Sequence, residues 1–231
     1  IEFRKYASMP KALTPLTEGV TPDGRKLSVT TVEAEVNQYG DYVCLSDVLD
    51  LAAIDNNVLE ATRACGNQAG LTLDTITRNV LQSGTNVYYC PEVDEAGKRT
   101  ATPQPDDRSK LTAGCKLTVN VVKRVASLMK AANAPKINGH YVCILHPYAA
   151  YDLMNDPKWE QMHQYCKPEE MYEGEIGRIA GVRFVETSEA AVYTGAENDC
   201  PEGLAVFGCL FIADGAYGVT EVTGGGLQTI I

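Results

Sequence analysis

The chain has 231 residues, 45% of them apolar, with 20 lysines and arginines against 30 aspartates and glutamates, for a net charge of -10. That apolar share excludes wholesale disorder, and the length suits one large domain or two small ones. The acidic balance argues against a nucleic-acid groove or an anionic-membrane binder, since both need a basic face.

In chain order, residues 1 to about 7 alternate as a strand, and Pro10 and Pro15 break the pattern. "TPDG", Thr21 to Gly24, places Pro22 second and Gly24 last, which predicts a type I turn followed by a left-handed glycine, with Asp23 between them. Beyond it Leu27 and Val29 share one face, and Val32, Ala34 and Val36 the other. The phase shift at Thr30–Thr31 predicts a bulge or twist. From Ser46 the period changes. Ile54, Val58, Ala61, Cys65, Ala69, Leu73, Ile76 and Val80 follow at steps of three or four, the stripe of one long helix within Ser46 to Gln82. Ser46 or Asp55 would cap its start, Gly66 and Gly70 allow a bend, and Ser83–Gly84 stops it. So narrow a stripe must lie on a sheet or another subunit.

Pro91 to Lys110 is a polar, Pro-containing loop and the predicted internal boundary. A second helix follows at about Thr118 to Ala132, with Val121, Val122, Val125, Leu128, Met129 and Ala132 as its apolar face. "GHYVCILHP" is a strand, and Pro147 to Met154 is a short helix with proline at its start. "NDPKWEQMHQYC" begins another helix, capped by Asp156. "EIGRIAGVRFVET" is a hairpin, and "LAVFGCLFIADGAYGVTEV" holds one or two strands. The first half reads as an arm plus a long helix, the second as an α+β module.

Candidate chemistry is sparse. The eight cysteines are scattered without a CxxC, which points to reduced thiols rather than a disulfide framework. Cys143, His146, His163 and Cys166 offer a zinc-ligand set, but residues 143 and 146 lie three apart on a strand and point to opposite faces. Cys143 then reads as core and His146 as a cap. "VTGGGLQ" lacks the Lys-Ser/Thr of a phosphate loop, and Trp159 reads as a local packing anchor. No cofactor and no metal is expected. No run is long enough to span a membrane and no signal peptide is visible. Both ends, "IEFRKYASMP" and "TGGGLQTII", look cut from something longer.

The stretch "IEFRKYASMPKALTPLTEGVTPDGRKLSVTTVEAEVNQYGDYVCLSD" resembles the start of the core region in N4-type major capsid proteins of tailed phages and prophages. The likeness rests on the Phe-Arg start, "TPLTEGVTP" and "QYGDYV-LSD". "YVCILHPYAAYDLMNDPKWEQM" and "GEIGRIAGVRFVET" resemble the same family's further signatures, in order along the chain. The resemblance implies the Hong Kong 97-type capsid fold. It assigns residues 1–45 to an extended hairpin arm (the E-loop) and 46–108 to a peripheral domain with its spine helix. Residues 109–213 become the axial α+β domain, and 214–231 return toward the peripheral domain. It also implies that members extend past both ends of this chain.

By the same resemblance the protein is a non-enzymatic shell subunit that assembles into hexamers and pentamers, enclosing double-stranded DNA without sequence-specific binding. Scaffolding, portal or decoration proteins are its expected partners. The place is the virion capsid, built in the bacterial host cytoplasm. The arm tip would contact the next subunit through Thr17, Glu18, Gly19, Thr21, Asp23, Gly24, Arg25 and Lys26. Lys11 or Lys26 is open to a covalent crosslink, although no catalytic Glu or Asn partner is identifiable. Two other readings stay open: an encapsulin-like shell around protein cargo, and a zinc or thiol enzyme on Cys143, His146, His163 and Cys166.

Overall fold

The computed structural model describes residues 1–21, 23–46, 56–94, 97–100, 102–159 and 177–219. The chain divides into two compact units, one of residues 1–65 with 218–231, the other of residues 66–217.

In the first unit, β1 (Glu2–Tyr6) and β2 (Val29–Glu33) form an antiparallel ladder from Glu2↔Glu33 to Tyr6↔Val29. The Ile1 ammonium donates to the Ala34 carbonyl at 2.8 Å, and the Ala7 amide to the Ser28 carbonyl at 3.0 Å, which extends the pairing at both ends. Pairing is one-to-one through Thr30–Thr31, so the predicted bulge is absent. The phase shift has another origin: no described residue in this ladder is buried, so neither face imposes an alternation. Phe3, half-buried, lies against Gly218, where an added Cβ would come within 2.9 Å of the ring.

Helix α1 (Asn57–Gln82) is one run of 26 residues, about 39 Å at 1.5 Å per residue, unbroken at Gly66 and Gly70. Asn56 caps it, its Oδ1 accepting from the Leu59 amide at 3.1 Å. The predicted cap Asp55, like Ile54 of the stripe, lies outside the described residues, and Ser46 is ten positions upstream. At the far end the Ser83 amide donates to the Asn79 carbonyl, closing the last turn as expected. No residue of α1 is buried, and Leu73 and Val80 of the predicted stripe are 58% and 67% exposed.

The second unit holds the core. A four-stranded sheet runs in the order β4-β5-β3-β8, with β3 (Tyr141–Leu145) parallel to β5 (Val182–Glu186) and antiparallel to β8 (Leu210–Ile212), and β4 (Arg178–Ile179) antiparallel to β5. A parallel neighbour needs a crossover, and α3 (Pro147–Met154) lies in it. Tyr141, Cys143 and Leu145 are fully buried on one face of β3, in one cluster with Val119, Val122 and Ala126 of α2 (Val119–Ala131) and Ala150 and Leu153 of α3. Leu128, assigned to the apolar face of that helix, is instead 43% exposed. Trp159 packs edge-on to Phe184 at 5.9 Å, the local anchor its sequence position predicts.

A small ladder of β6 (Val192–Tyr193) and β7 (Val206–Phe207) receives the end of α1. There the Arg78 guanidinium donates to the Glu189 carbonyl, and the Tyr193 hydroxyl to Gln82 Oε1 at 2.9 Å. The loop read in sequence as the internal boundary lies inside this unit. Arg108 fastens it, donating to the Asn198 carbonyl at 2.9 Å and stacking 3.8 Å over the Tyr193 ring.

Candidate functional site

The two candidate sites are the arm and the Cys143–His146 pair, and the geometry treats them differently. Cys143 is fully buried in β3, where burial pushes its thiol well up, so the thiolate a nucleophile or metal ligand needs is disfavoured. Burial likewise pushes Cys90 and Cys209 up to about 12, with neighbouring thiols and Asp152 adding to the effect at Cys90. His146 does what its position suggests: its Nδ1 accepts from the Tyr148 amide at 3.2 Å and caps α3, and its ring rests 4.9 Å from that of Phe207. His163 and Cys166 lie outside the described residues. Among the described residues no group of three or more His, Cys, Asp or Glu is disposed to hold a metal, and the seven described cysteines are free thiols.

The arm has the opposite character. From 1 to 46 no described residue is buried, and only Phe3 and Ala34 are half-buried. Large apolar side chains nonetheless recur along it, with Leu13 82%, Leu16 77% and Leu27 62% exposed, and Tyr6, Val29 and Val32 exposed on the ladder itself. Thr17, Glu18, Gly19, Thr21, Asp23, Gly24, Arg25 and Lys26 all fall on this exposed segment.

The tip is built differently from the sequence expectation. The Val20 amide donates to the Thr17 carbonyl at 3.2 Å, and Gly19 has φ +79, the sign a type II turn requires at its third position. Gly24 is not in the left-handed region the sequence predicts for it. Pro22 lies outside the described residues. "TEGV" carried the signal, a glycine third in a polar four-residue turn. Arg25 is partly used within the arm, donating from Nη1 to the Pro10 carbonyl at 3.2 Å and tying the two limbs together. Glu18, Asp23 and Lys26 form no ion pair among the described residues.

Residues 45–205 match the family model described as phage capsid protein. The fold is similar to the capsid of Ralstonia phage GP4, with 15% identity and a TM-score of 0.59 over 92% of this chain and 67% of that one. The capsid structure of the cyanophage P-SCSP1u gives 14% identity and a TM-score of 0.59 over 86% of this chain and 62% of that one. The chain thus spans about two thirds of the length of the capsid chains it resembles. No curated protein matches it. Among the described residues no helix is long and apolar enough to cross a membrane.

Proposed function

This chain belongs to the phage capsid protein family, and from that premise we propose that it is a shell subunit of the N4 type with the Hong Kong 97-type fold. Its arm is the E-loop, lying across a neighbouring subunit within hexamers and pentamers of an icosahedral head. The head encloses double-stranded DNA in the virion and is assembled in the host cytoplasm.

The observation that carries this reading is the arm: a hydrogen-bonded ladder with apolar side chains on both faces and no buried residue among those described. A two-stranded ribbon is marginal alone in water and gains its stability from what it packs on. Glu18, Asp23 and Lys26 at its tip then meet charges of the next subunit. Each exposed ion pair contributes only about 0–1 kcal/mol, so assembly depends on many copies acting together. The net charge of -10 suits a wall that holds DNA without gripping phosphates. Duplex DNA should therefore bind purified assemblies weakly, and tight binding with a steep salt dependence would contradict the wall.

Deletion of Thr17 to Lys26 tests the reading. The shortened chain should keep the far-UV circular dichroism and cooperative melting of the second unit while losing assembly in sedimentation velocity. Assembly that survives the deletion unchanged removes the arm from its proposed role.

A further inference from the structure

The turn that leads into β3 carries "INGH", Ile137 to His140, the one Asn-Gly pair in the sequence. The Ile137 amide donates to the His140 carbonyl at 2.9 Å, and the His140 amide to the Ile137 carbonyl at 3.0 Å. Between them Asn138 and Gly139 are both left-handed, with φ +48 and +86, as a two-residue type I′ hairpin turn requires. Both are exposed. Among the described residues neither the Asn138 carboxamide nor the Gly139 N–H has a hydrogen-bond partner. The space around Gly139 is open, since an added Cβ would meet no atom within 4 Å.

An asparagine side chain has one nucleophile close by in its own chain, the main-chain nitrogen of the next residue. Attack of that nitrogen on Cγ closes a five-membered succinimide ring. Ring closure is easiest where the nitrogen is released from hydrogen bonding and its residue has no side chain to obstruct the approach. The described asparagines separate on these terms. The amides that follow Asn133, Asn155 and Asn198 each donate to a backbone carbonyl, at 3.0, 3.2 and 3.2 Å. The Asn198 carboxamide is itself held, donating to the Thr194 carbonyl at 2.8 Å. Asn138 combines an open carboxamide, an unengaged amide and a neighbour without a Cβ.

We propose that Asn138 is a site of spontaneous deamidation, with the Gly139 nitrogen as nucleophile and water as the co-reactant. The bond from the Gly139 nitrogen to Asn138 Cγ forms, the Cγ–Nδ2 bond breaks, and ammonia leaves with the proton that the nitrogen gives up. Water then opens the ring, and no electrons change hands. Addition at Cγ leaves aspartate. Addition at the main-chain carbonyl leaves isoaspartate, in which the chain runs through Cβ and Cγ. Because the attacking nitrogen must lose its proton, the rate rises with pH. Either product adds negative charge to a chain already at -10. Their structural effects differ. Aspartate tolerates the left-handed region much as asparagine does. Isoaspartate inserts an extra main-chain carbon into a two-residue turn, which cannot then keep both Ile137–His140 bonds. The next amide is that of fully buried Tyr141, which donates to the Gly181 carbonyl at 2.9 Å, so isoaspartate loosens the head of the central strand.

Incubation of the folded full chain at pH 8 in 18O-water tests it, with trypsin digestion in ordinary water and tandem mass spectrometry to locate the product. Expected is conversion at Asn138 at least ten times faster than at Asn133, Asn155 or Asn198. The product should carry one 18O, include isoaspartate as well as aspartate, and form at least ten times more slowly at pH 5. Gly139→Ala should slow it at least tenfold, and the wild-type result stands even if that variant misfolds. Asn138 left intact after a free peptide of Ile137 to Tyr141 is half converted overturns the proposal, as does faster loss at another of these asparagines. Conversion to aspartate alone overturns the ring-closing route.

Discussion

Asp156 shows how one buried carboxylate holds two segments together. It is only 4% exposed, and its two oxygens face different backbones: Oδ2 accepts from the Val119 amide and Oδ1 from the Lys158 amide, each at 2.9 Å. One bond caps α2 from 37 residues away, and the other caps the turn that follows Asp156 itself. Thr118, the residue at the α2 cap position, makes no side-chain cap bond. Asp156→Ala should cost about 1–3 kcal/mol, because buried amide donors lose their acceptor. Asp156→Asn should cost less, since one oxygen remains; urea unfolding midpoints will rank the three proteins.

The buried thiols give a second residue-scale prediction. Below pH 9, the ordinary value, Cys90 and Cys209 are protonated in folded and unfolded chains alike, and their burial has no pH-dependent cost. Above it the unfolded chain loses protons that the fold retains up to about 12, so stability falls as pH rises through that window. Replacing both by alanine should flatten the fall in melting temperature between pH 8.5 and 10.5. In native protein at pH 8, Cys44, which is exposed, should react with a thiol reagent well before Cys90 or Cys209.

At the scale of elements, the β4–β5 hairpin turns on Ala180 and Gly181, both left-handed at φ +55 and +83. Gly181→Val should destabilise by about 1–3 kcal/mol, because a β-branched residue is strained there. Ala180→Gly should be neutral or stabilising by up to about 1 kcal/mol, as relief of the left-handed alanine outweighs the added chain entropy. Thermal unfolding of the two variants reads the difference in sign. Where a segment has a core to answer to, its sequence was legible: "YVCIL" is a central strand, Pro147 opens a helix, and His146 caps it. Where nothing covers a segment, the pattern misled. The apolar shift at Thr30–Thr31 is an ordinary one-to-one ladder with no buried residue among those described, and the left-handed glycine of the arm is Gly19 rather than Gly24. The Arg178–Arg183 pairing was out of reach because register joins residues that sequence spacing does not single out.

At the scale of the whole molecule, family and fold agree on a capsid protein, and the exposed arm is the surface proposed to meet a neighbouring subunit. The Cys–His site that a zinc or thiol enzyme would need finds no support in Cys143 or His146, the first packed in the core and the second capping α3, while His163 and Cys166 lie outside the described residues. The central proposal is assembly through the arm. Sedimentation velocity with negative-stain microscopy of the purified chain tests it most directly. The account predicts rings, hexamers or closed shells that dissociate on raising salt. A monodisperse 25.0 kDa monomer at every concentration and salt would contradict it.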